Sequence, residues 1–198
     1  MSVFTSRLAA LIFLLGLTTN IKAQKFLIPD DAILQYAGSI GYLSVGAGYE
    51  LFGNKRGNLD ISYGFVPESK GGALHILTAK FAYRPFVIKL GNWAKIYPFN
   101  PGIFLRYTLN NNLGFNFDTV QYPKGYYYFS EAARPHLSFS NEFQLIKGKA
   151  LEKTGLKALS IYSEFNTNDY YLINYFQNTT ALSVTDIFKL GIGIRAKF

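Results

Sequence analysis

Few residues of this 198-residue chain could perform covalent chemistry, and two of them stand in the segment His136-Leu137-Ser138. A histidine can accept the proton of a serine hydroxyl, and a carboxylate that fixes the histidine tautomer completes such a nucleophilic group. Glu142 has the same parity as His136, but four residues along a strand separate side chains by about 13 Å. Glu164 is therefore the better acid, and the weak catalytic candidates are His136, Ser138 and Glu164.

The sequence offers little for metal, cofactor or nucleic-acid binding. It contains no cysteine, and its two histidines, His75 and His136, have no second ligand at a recognised metal-binding spacing. The glycines fall in predicted strands and turns, and none forms a phosphate-binding loop. The net charge is +8, but the basic residues are scattered and no Lys/Arg run is longer than a dipeptide. We therefore predict no metal, no cofactor and no nucleic-acid partner.

Segments that alternate between apolar and polar residues position the charged side chains. A period of two indicates β-strands, because successive side chains leave a strand on opposite faces. The alternation runs almost continuously from Tyr36, and no helical period competes over a comparable length. The fold class is therefore all-β, an antiparallel meander of the kind that can close into an up-and-down barrel. The charged residues on the polar parity, which would face the lumen, are Glu50, Asp60, Lys80, Arg84, Arg106, Glu142, Glu164, Lys189 and Arg195.

The last strand has the most informative pattern. Over residues 188–198 one parity is wholly apolar, and the other carries glycines and three cations. This pattern resembles the closing strand of an outer-membrane β-barrel, whose lipid-facing residues are apolar and lumen-facing residues polar. In those families a terminal Phe and a Gly five residues earlier belong to the signal read by the barrel-assembly machinery. Phe198 and Gly193 match that signal, whereas Ala196 replaces its usual aromatic residue.

The beginning of the chain is typical of an export signal. Arg7 supplies a positive charge, and the run LAALIFLLGL supplies an apolar core that is shorter than the ~20 residues needed to span a bilayer. Small-residue cleavage after Ala23 would release a mature chain that begins at Gln24. We therefore predict a signal peptide over residues 1–23 and a single barrel domain over residues 24–198.

Alternation alone does not decide which face of the barrel meets water. A soluble ligand-binding barrel turns its apolar parity inward, whereas a membrane barrel turns it outward. The abundance of Gly and Ser on the polar parity and the scarcity of Lys and Glu there favour the membrane barrel. Aromatic residues at the strand ends, as in an interfacial girdle, favour it too. These residues are Tyr63, Phe65, Tyr83, Phe86, Trp93, Tyr97 and Phe99.

About seven strands are clear in the sequence, whereas single-chain bacterial barrels normally have an even number. We therefore place the eighth strand within residues 25–37. With Phe198 at the periplasmic end, counting backwards puts two long loops, residues 110–131 and 166–185, on the outer side. An alternative register would make the segment YYLINYFQ a strand and move the first long loop to the periplasm.

A narrow barrel interior must pair its charges, because desolvating one alone costs several kcal/mol. We therefore predict a polar lumen that is plugged by salt bridges. The two long loops are rich in Asn and Tyr, which suit recognition because they combine contact area with adaptable hydrogen bonds. Their ligand is not predicted; the expected partners are outer-membrane lipid and the assembly machinery.

Residues 36–198 resemble the broad family of outer-membrane β-barrel-domain proteins, which includes membrane-stabilising proteins, adhesins and a few lipid-modifying enzymes. Our first interpretation is a non-enzymatic outer-membrane barrel with an envelope-structural or loop-mediated binding role. The second is a lipid A-type acyl hydrolase, because His136-Leu137-Ser138 resembles the catalytic pair of the outer-membrane lipid A deacylases. That site lies on the outer surface of its barrel, whereas the parity here points His136 and Ser138 inward. The third is a soluble ligand-binding barrel.

Overall fold

The computed structural model describes residues 28–70, 72–110 and 132–198, and most of these residues lie in antiparallel strands. The strands are β1 (Asp31–Ala37), β2 (Leu43–Leu51), β3 (Gly57–Val66), β4 (Leu74–Tyr83), β5 (Ile88–Leu90), β6 (Ala94–Leu109), β7 (Ala133–Leu145), β8 (Ala158–Asn168) and β9 (Lys189–Lys197). The helices are short and lie in connections: α1 (Lys149–Thr154), α2 (Asp169–Gln177), α3 (Val184–Ile187) and a 3₁₀ turn (Glu68–Lys70). None of the helices in the described ranges is long and apolar enough to cross a membrane.

Eight of the strands close into a barrel. Each of β1 to β4 and β6 to β9 pairs with its neighbours, β4 pairs directly with β6, and β9 returns to pair with β1. The closing seam runs over seven residue pairs, from Asp31 opposite Lys197 to Ala37 opposite Gly191. β5 pairs only with the start of β6 and adds a short hairpin. The predicted antiparallel barrel of eight strands is confirmed, and β1 is the strand expected within residues 25–37.

The connections alternate between two ends of the barrel, which we call the terminal end and the loop end. The terminal end carries residues 28–30, Phe198 and the connections 52–56, 84–93 and 146–157. The loop end carries residues 38–42, 67–73, 169–188 and the connection from β6 to β7, in which residues 111–131 lie outside the described ranges. The second predicted long loop therefore lies at the end opposite Phe198, whereas the first, residues 110–131, falls almost wholly outside the described residues.

The segment YYLINYFQ forms most of helix α2, so the alternative register, which made it a strand, is wrong. Asn168 caps the helix, because its side-chain oxygen accepts a hydrogen bond of 2.9 Å from the backbone N–H of Tyr171. The helix ends at Asn178, whose N–H donates to the carbonyl of Asn174 at 3.0 Å. Asn residues at both ends of an aromatic run thus delimit a helix that strand alternation does not reveal.

Strand β6 begins earlier than the alternation suggests. It starts at Ala94, directly after the turn that holds Trp93, and its pairing with β7 shifts between Tyr97 and Asn100. Such a bulge inserts an extra residue, so side chains of the same parity point to opposite faces on its two sides: Tyr97 points inward, whereas Ile103 and Leu105 point outward. Tyr97 is therefore buried inside the barrel, with its ring 4.7 Å from the guanidinium of Arg84, and its predicted place in an outer aromatic girdle is wrong.

The barrel is polar inside and apolar outside. Val45, Ile103 and Ile161 on the outer wall are 53%, 59% and 58% exposed, whereas Asp60 and Glu164 in the interior are 3% and 1% exposed. A barrel that folds in water buries its apolar parity instead. The soluble ligand-binding interpretation required that opposite arrangement, so the observed faces do not fit it.

Candidate functional site

The interior of the terminal half is organised around Arg195 on β9. Its guanidinium donates two hydrogen bonds to Asp60, at 3.0 and 2.8 Å, and a third to Asp31 at 3.1 Å. The fork of a guanidinium matches the two oxygens of a carboxylate, which makes this pairing strong and directional. Because Asp31 lies on β1 and Asp60 on β3, one side chain of the last strand ties together three strands of the wall.

Lys80 on β4 extends the network across the lumen. Its ammonium lies 2.7 Å from the carboxylate of Glu164 on β8 and 3.6 Å from that of Asp60. β4 and β8 are not neighbours in the sheet, so this contact crosses the interior rather than running along the wall. The two carboxylates balance a cation that would otherwise be desolvated alone.

A second group of ion pairs lies closer to the terminal end. Arg84 donates to Glu142 at 2.8 Å and lies 4.0 Å from Glu50. Glu50 also pairs with Lys197 and, at 3.2 Å, with the exposed Lys55. Interior charges of both signs are therefore matched throughout this half of the lumen.

Tyr162 on β8 fills the space between these groups. Its ring lies under both Lys80 and Arg195, with cation-to-centroid distances of 5.6 and 6.0 Å, and its hydroxyl donates to Gln35 at 2.8 Å. Gly193 makes room for the ring, because a Cβ atom there would overlap it. The predicted assembly residue Gly193 thus has a packing role in the folded barrel.

Sequence reasoning missed Asp31, Tyr162 and Gln35 as members of this network. Asp31 and Gln35 lie on β1, whose stretch after Gln24 shows no alternation long enough to assign a parity. The alternation of β8 does place Tyr162 on the lumen side, beside Glu164. A tyrosine between two residues of a charged lumen face is the signal that could have identified it.

Two of the nine predicted lumen charges lie outside the network. Lys189 is the first residue of β9, and because the wall ends there its side chain is exposed at the loop end, 5.1 Å from the ring of Tyr171. Its predicted place inside the lumen is therefore wrong. Arg106 faces the interior near the same end, and no carboxylate of the described ranges lies within 4 Å of its guanidinium.

The three catalytic candidates do not come together. The imidazole of His136 is 2% exposed and stacks on Phe104, with ring centroids 4.3 Å apart. Glu164 pairs across the strands with Ser140, four residues from His136, and its carboxylate binds Lys80 instead. Within the described residues no hydrogen bond joins His136 to Ser138 or Glu164. This geometry does not assemble the nucleophile, base and acid of an acyl hydrolase.

Phe198 completes the closing seam at the terminal end. Its backbone N–H donates to the carbonyl of Asp30 at 3.1 Å, while its side chain is 45% exposed. The seam thus continues one residue beyond the last pair of β1 and β9. The proposed reading of Phe198 and Gly193 by assembly machinery stays a prediction.

These features define a class: a closed eight-stranded antiparallel β-barrel with an apolar outer wall and an ion-paired interior. No protein family and no curated protein matches the sequence. A solved structure described as "De novo design of transmembrane beta-barrels" aligns over 86% of this chain and 98% of its own, with 13% identity and a TM-score of 0.39. The class rests on the strand pairing and not on this distant alignment.

Proposed function

We propose that the protein is a non-enzymatic outer-membrane β-barrel that supports the envelope or presents its loop end to a partner. The observation that supports this most strongly is the inverted polarity of the barrel. Large contiguous apolar surfaces are unfavourable in water and are typical of proteins that meet lipid or another protein. Here the apolar surface surrounds the barrel, and the ion pairs are inside, as in bacterial barrels that span a membrane.

The dimensions and the rim of the barrel support the same proposal. A transmembrane strand needs about 9–11 tilted residues, and β2, β3, β4 and β9 have 9 or 10 each. On the outer wall near the loop end, the hydroxyl of Tyr63 forms a hydrogen bond with Nδ1 of His75, and Phe65 packs on the same imidazole. Trp93 lies at the terminal end, 47% exposed. Amphipathic rings at both ends suit the two interfaces of a bilayer.

The interior supports a plugged barrel rather than an open conduit. The contacts of Lys80 with Glu164 and of Arg195 with Asp60 cross or line the lumen, and Tyr162 fills the space between them. A solute would have to separate these pairs, and breaking a buried pair is costly. We therefore assign the barrel a structural role and place recognition at the loop end.

The loop end offers a surface for such recognition. Helix α2 exposes Tyr170, Ile173 and Phe176, which follow one another at the three-residue spacing of one helix face. Phe176 is 72% exposed, which is unusual for a side chain of its size. This face is where the proposal expects a partner to bind.

The test of the membrane proposal uses Trp93, the single tryptophan of the chain. The protein is refolded into phosphatidylcholine vesicles whose acyl chains carry bromine at a shallow or a deep position. We expect Trp93 to be quenched more strongly by shallow bromine, because its ring lies on the outer wall at one end of the barrel. The control is Trp93→Phe with Lys153→Trp, which moves the fluorophore to the exposed helix α1 and should prevent quenching by either lipid. Equal weak quenching of both proteins would contradict membrane insertion.

A further inference from the structure

A small pocket of about 240 Å³ opens at the loop end of the barrel. One side is the turn from β1 to β2, which bends inward so that Ile40 is only 3% exposed. The carbonyl of Ile40 occupies the position that a Cβ atom of residue 64 would take, so Gly64 allows this turn to lie against β3. The other sides are β4, β6 and the 3₁₀ turn after β3. The turn thus narrows the mouth and creates the pocket.

The described lining of the pocket carries two cations and no carboxylate. Arg106 reaches it from β6 and Lys70 from the 3₁₀ turn, and Ser39 and Tyr42 add hydroxyl groups. Lys70 lies 5.8 Å from the centroid of the Tyr42 ring, and no ion pair of the described ranges involves its ammonium. The pocket is therefore electropositive, unlike the balanced terminal half of the lumen.

Arg106 has donors that the described protein does not use. Its Nε is buried and has no hydrogen-bond partner, and the same holds for the hydroxyl of Thr78, which lies directly opposite on β4. Arg134 is the other cross-strand neighbour of Arg106, and that residue pairs with Asp169 at 3.4 Å. The guanidinium of Arg106 is thus flanked by a second cation and an unused hydroxyl, although every other interior cation described above meets a carboxylate.

We propose that this pocket binds a phosphate group, held by Arg106 and Lys70. A partly buried guanidinium without a counter-charge is unfavourable, and its planar set of donors matches the oxygens of a phosphate. The lysine adds a second positive charge, and the hydroxyl groups add donors. At about 30 Å³ per water, the pocket has the volume of about eight waters, enough for a phosphate group with a small substituent. The proposal needs the barrel fold but not its insertion into a membrane.

The test is a phosphorus NMR titration of inorganic phosphate with the folded protein in alkyl maltoside micelles, which carry no phosphate. Chloride keeps the ionic strength constant. We expect the phosphorus signal to show saturable binding. In nitrogen–proton spectra of the same samples, one arginine side-chain signal should shift saturably, and it should be missing in Arg106→Gln. Loss of one charged hydrogen-bonding group should weaken binding about tenfold in Arg106→Gln and by a similar or smaller factor in Lys70→Gln. Lys153→Gln, on the exposed helix α1 at the terminal end, is the matched control and should bind as the parent does.

A parallel titration with a short-chain phosphatidic acid distinguishes the source of the phosphate. Tighter binding of the lipid assigns the site to a phospholipid headgroup, and tighter binding of inorganic phosphate assigns it to a free anion; both support the proposal. Heat-modifiable migration on a gel verifies that each variant folds. If Arg106→Gln does not fold, the phosphate affinity of Lys70→Gln still tests the site. Lys70 is exposed, so its substitution should leave the fold intact. Absence of saturable binding, or binding that Lys70→Gln and Lys153→Gln weaken equally, would overturn the site.

Discussion

At the scale of single residues, Arg195 joins two buried carboxylates of the described barrel. Its side chain is 7% exposed, and it binds the carboxylates of Asp60 and Asp31. Removing one partner of a buried ion pair leaves an uncompensated charge, so Arg195→Gln should lower the free energy of unfolding by about 3–5 kcal/mol. Urea titration of the protein in vesicles measures this change.

Arg56→Gln is the chemically matched control for that prediction. Arg56 is exposed and donates one hydrogen bond of 3.0 Å to the carbonyl of Pro85, so its loss should cost about 0.5 kcal/mol. The double variant Arg195→Gln with Asp60→Asn should cost less than the sum of its single changes, because each removes the same pairing. Strict additivity would show that the two residues do not interact.

Gly193 provides a second test at this scale. Gly193→Ala introduces a methyl group into space that the ring of Tyr162 occupies. The overlap should lower the free energy of unfolding by about 1–3 kcal/mol, as over-packing of a close-packed interior does. Gly53→Ala is the control, since nothing lies within 4 Å of the position where its Cβ would be.

The same measurement in a Tyr162→Leu background separates packing from strand propensity. If the ring causes the effect, Gly193→Ala should have little further cost once the ring is gone. An unchanged cost in that background would mean that Tyr162 is not the group that requires glycine at this position.

The face that a residue occupies could be predicted from sequence, but its height along the barrel could not. Alternation placed Asp60, Lys80 and Glu164 on the lumen side, where the structure has them. It could not show that Glu164 lies opposite Ser140 rather than His136, because the stagger between strands depends on pairing across the whole sheet. The catalytic hypothesis required Glu164 to lie at the same height along the barrel as His136. The sequence alone could therefore not test this hypothesis.

At the scale of elements, long regular strands were predictable and local exceptions were not. Strand β6 has a bulge between Tyr97 and Asn100, so these two buried residues are three apart instead of two. Helix α2 depends on its Asn168 cap, and its aromatic run has no polar face that would distinguish it from a strand. At the bulge of β6 and at the cap of α2, a local interaction thus overrides the two-residue alternation from which the strands were predicted.

The two ends of the barrel can be distinguished in cells because the chain has no cysteine. Thr180→Cys introduces a thiol at the loop end, and Lys153→Cys introduces one at the terminal end, each at an exposed position. A membrane-impermeant maleimide added to intact cells should label only Thr180→Cys, since the loop end is proposed to face outward. Both variants should react after lysis. Labelling of Lys153→Cys alone would show that the terminal end, and not the loop end, faces outward.

At the scale of the whole molecule, closure depends on β9. We predict that Phe198→Asp lowers the amount of barrel inserted in cells, because the residue ends the closing strand and belongs to the proposed assembly signal. Insertion is measured by membrane fractionation and heat-modifiable migration. Phe176→Asp changes a more exposed aromatic residue far from the seam and should insert normally. Normal insertion of Phe198→Asp would remove the assembly role.

Because the N–H of Phe198 meets the carbonyl of Asp30, the two ends of the described barrel are adjacent, and the ring of strands has no structural beginning. A circular permutant could therefore join residue 198 to residue 28 by a short linker and be opened after Phe52, in the connection between β2 and β3. The new chain would finish on a different phenylalanine at the same end of the barrel, with Ala47 in the place of Gly193. The permutant would keep the same strand pairing and ion pairs, but β2 would be its last strand. Comparing it with the parent would show whether folding depends on the geometry of the barrel or on the order in which its strands are synthesised.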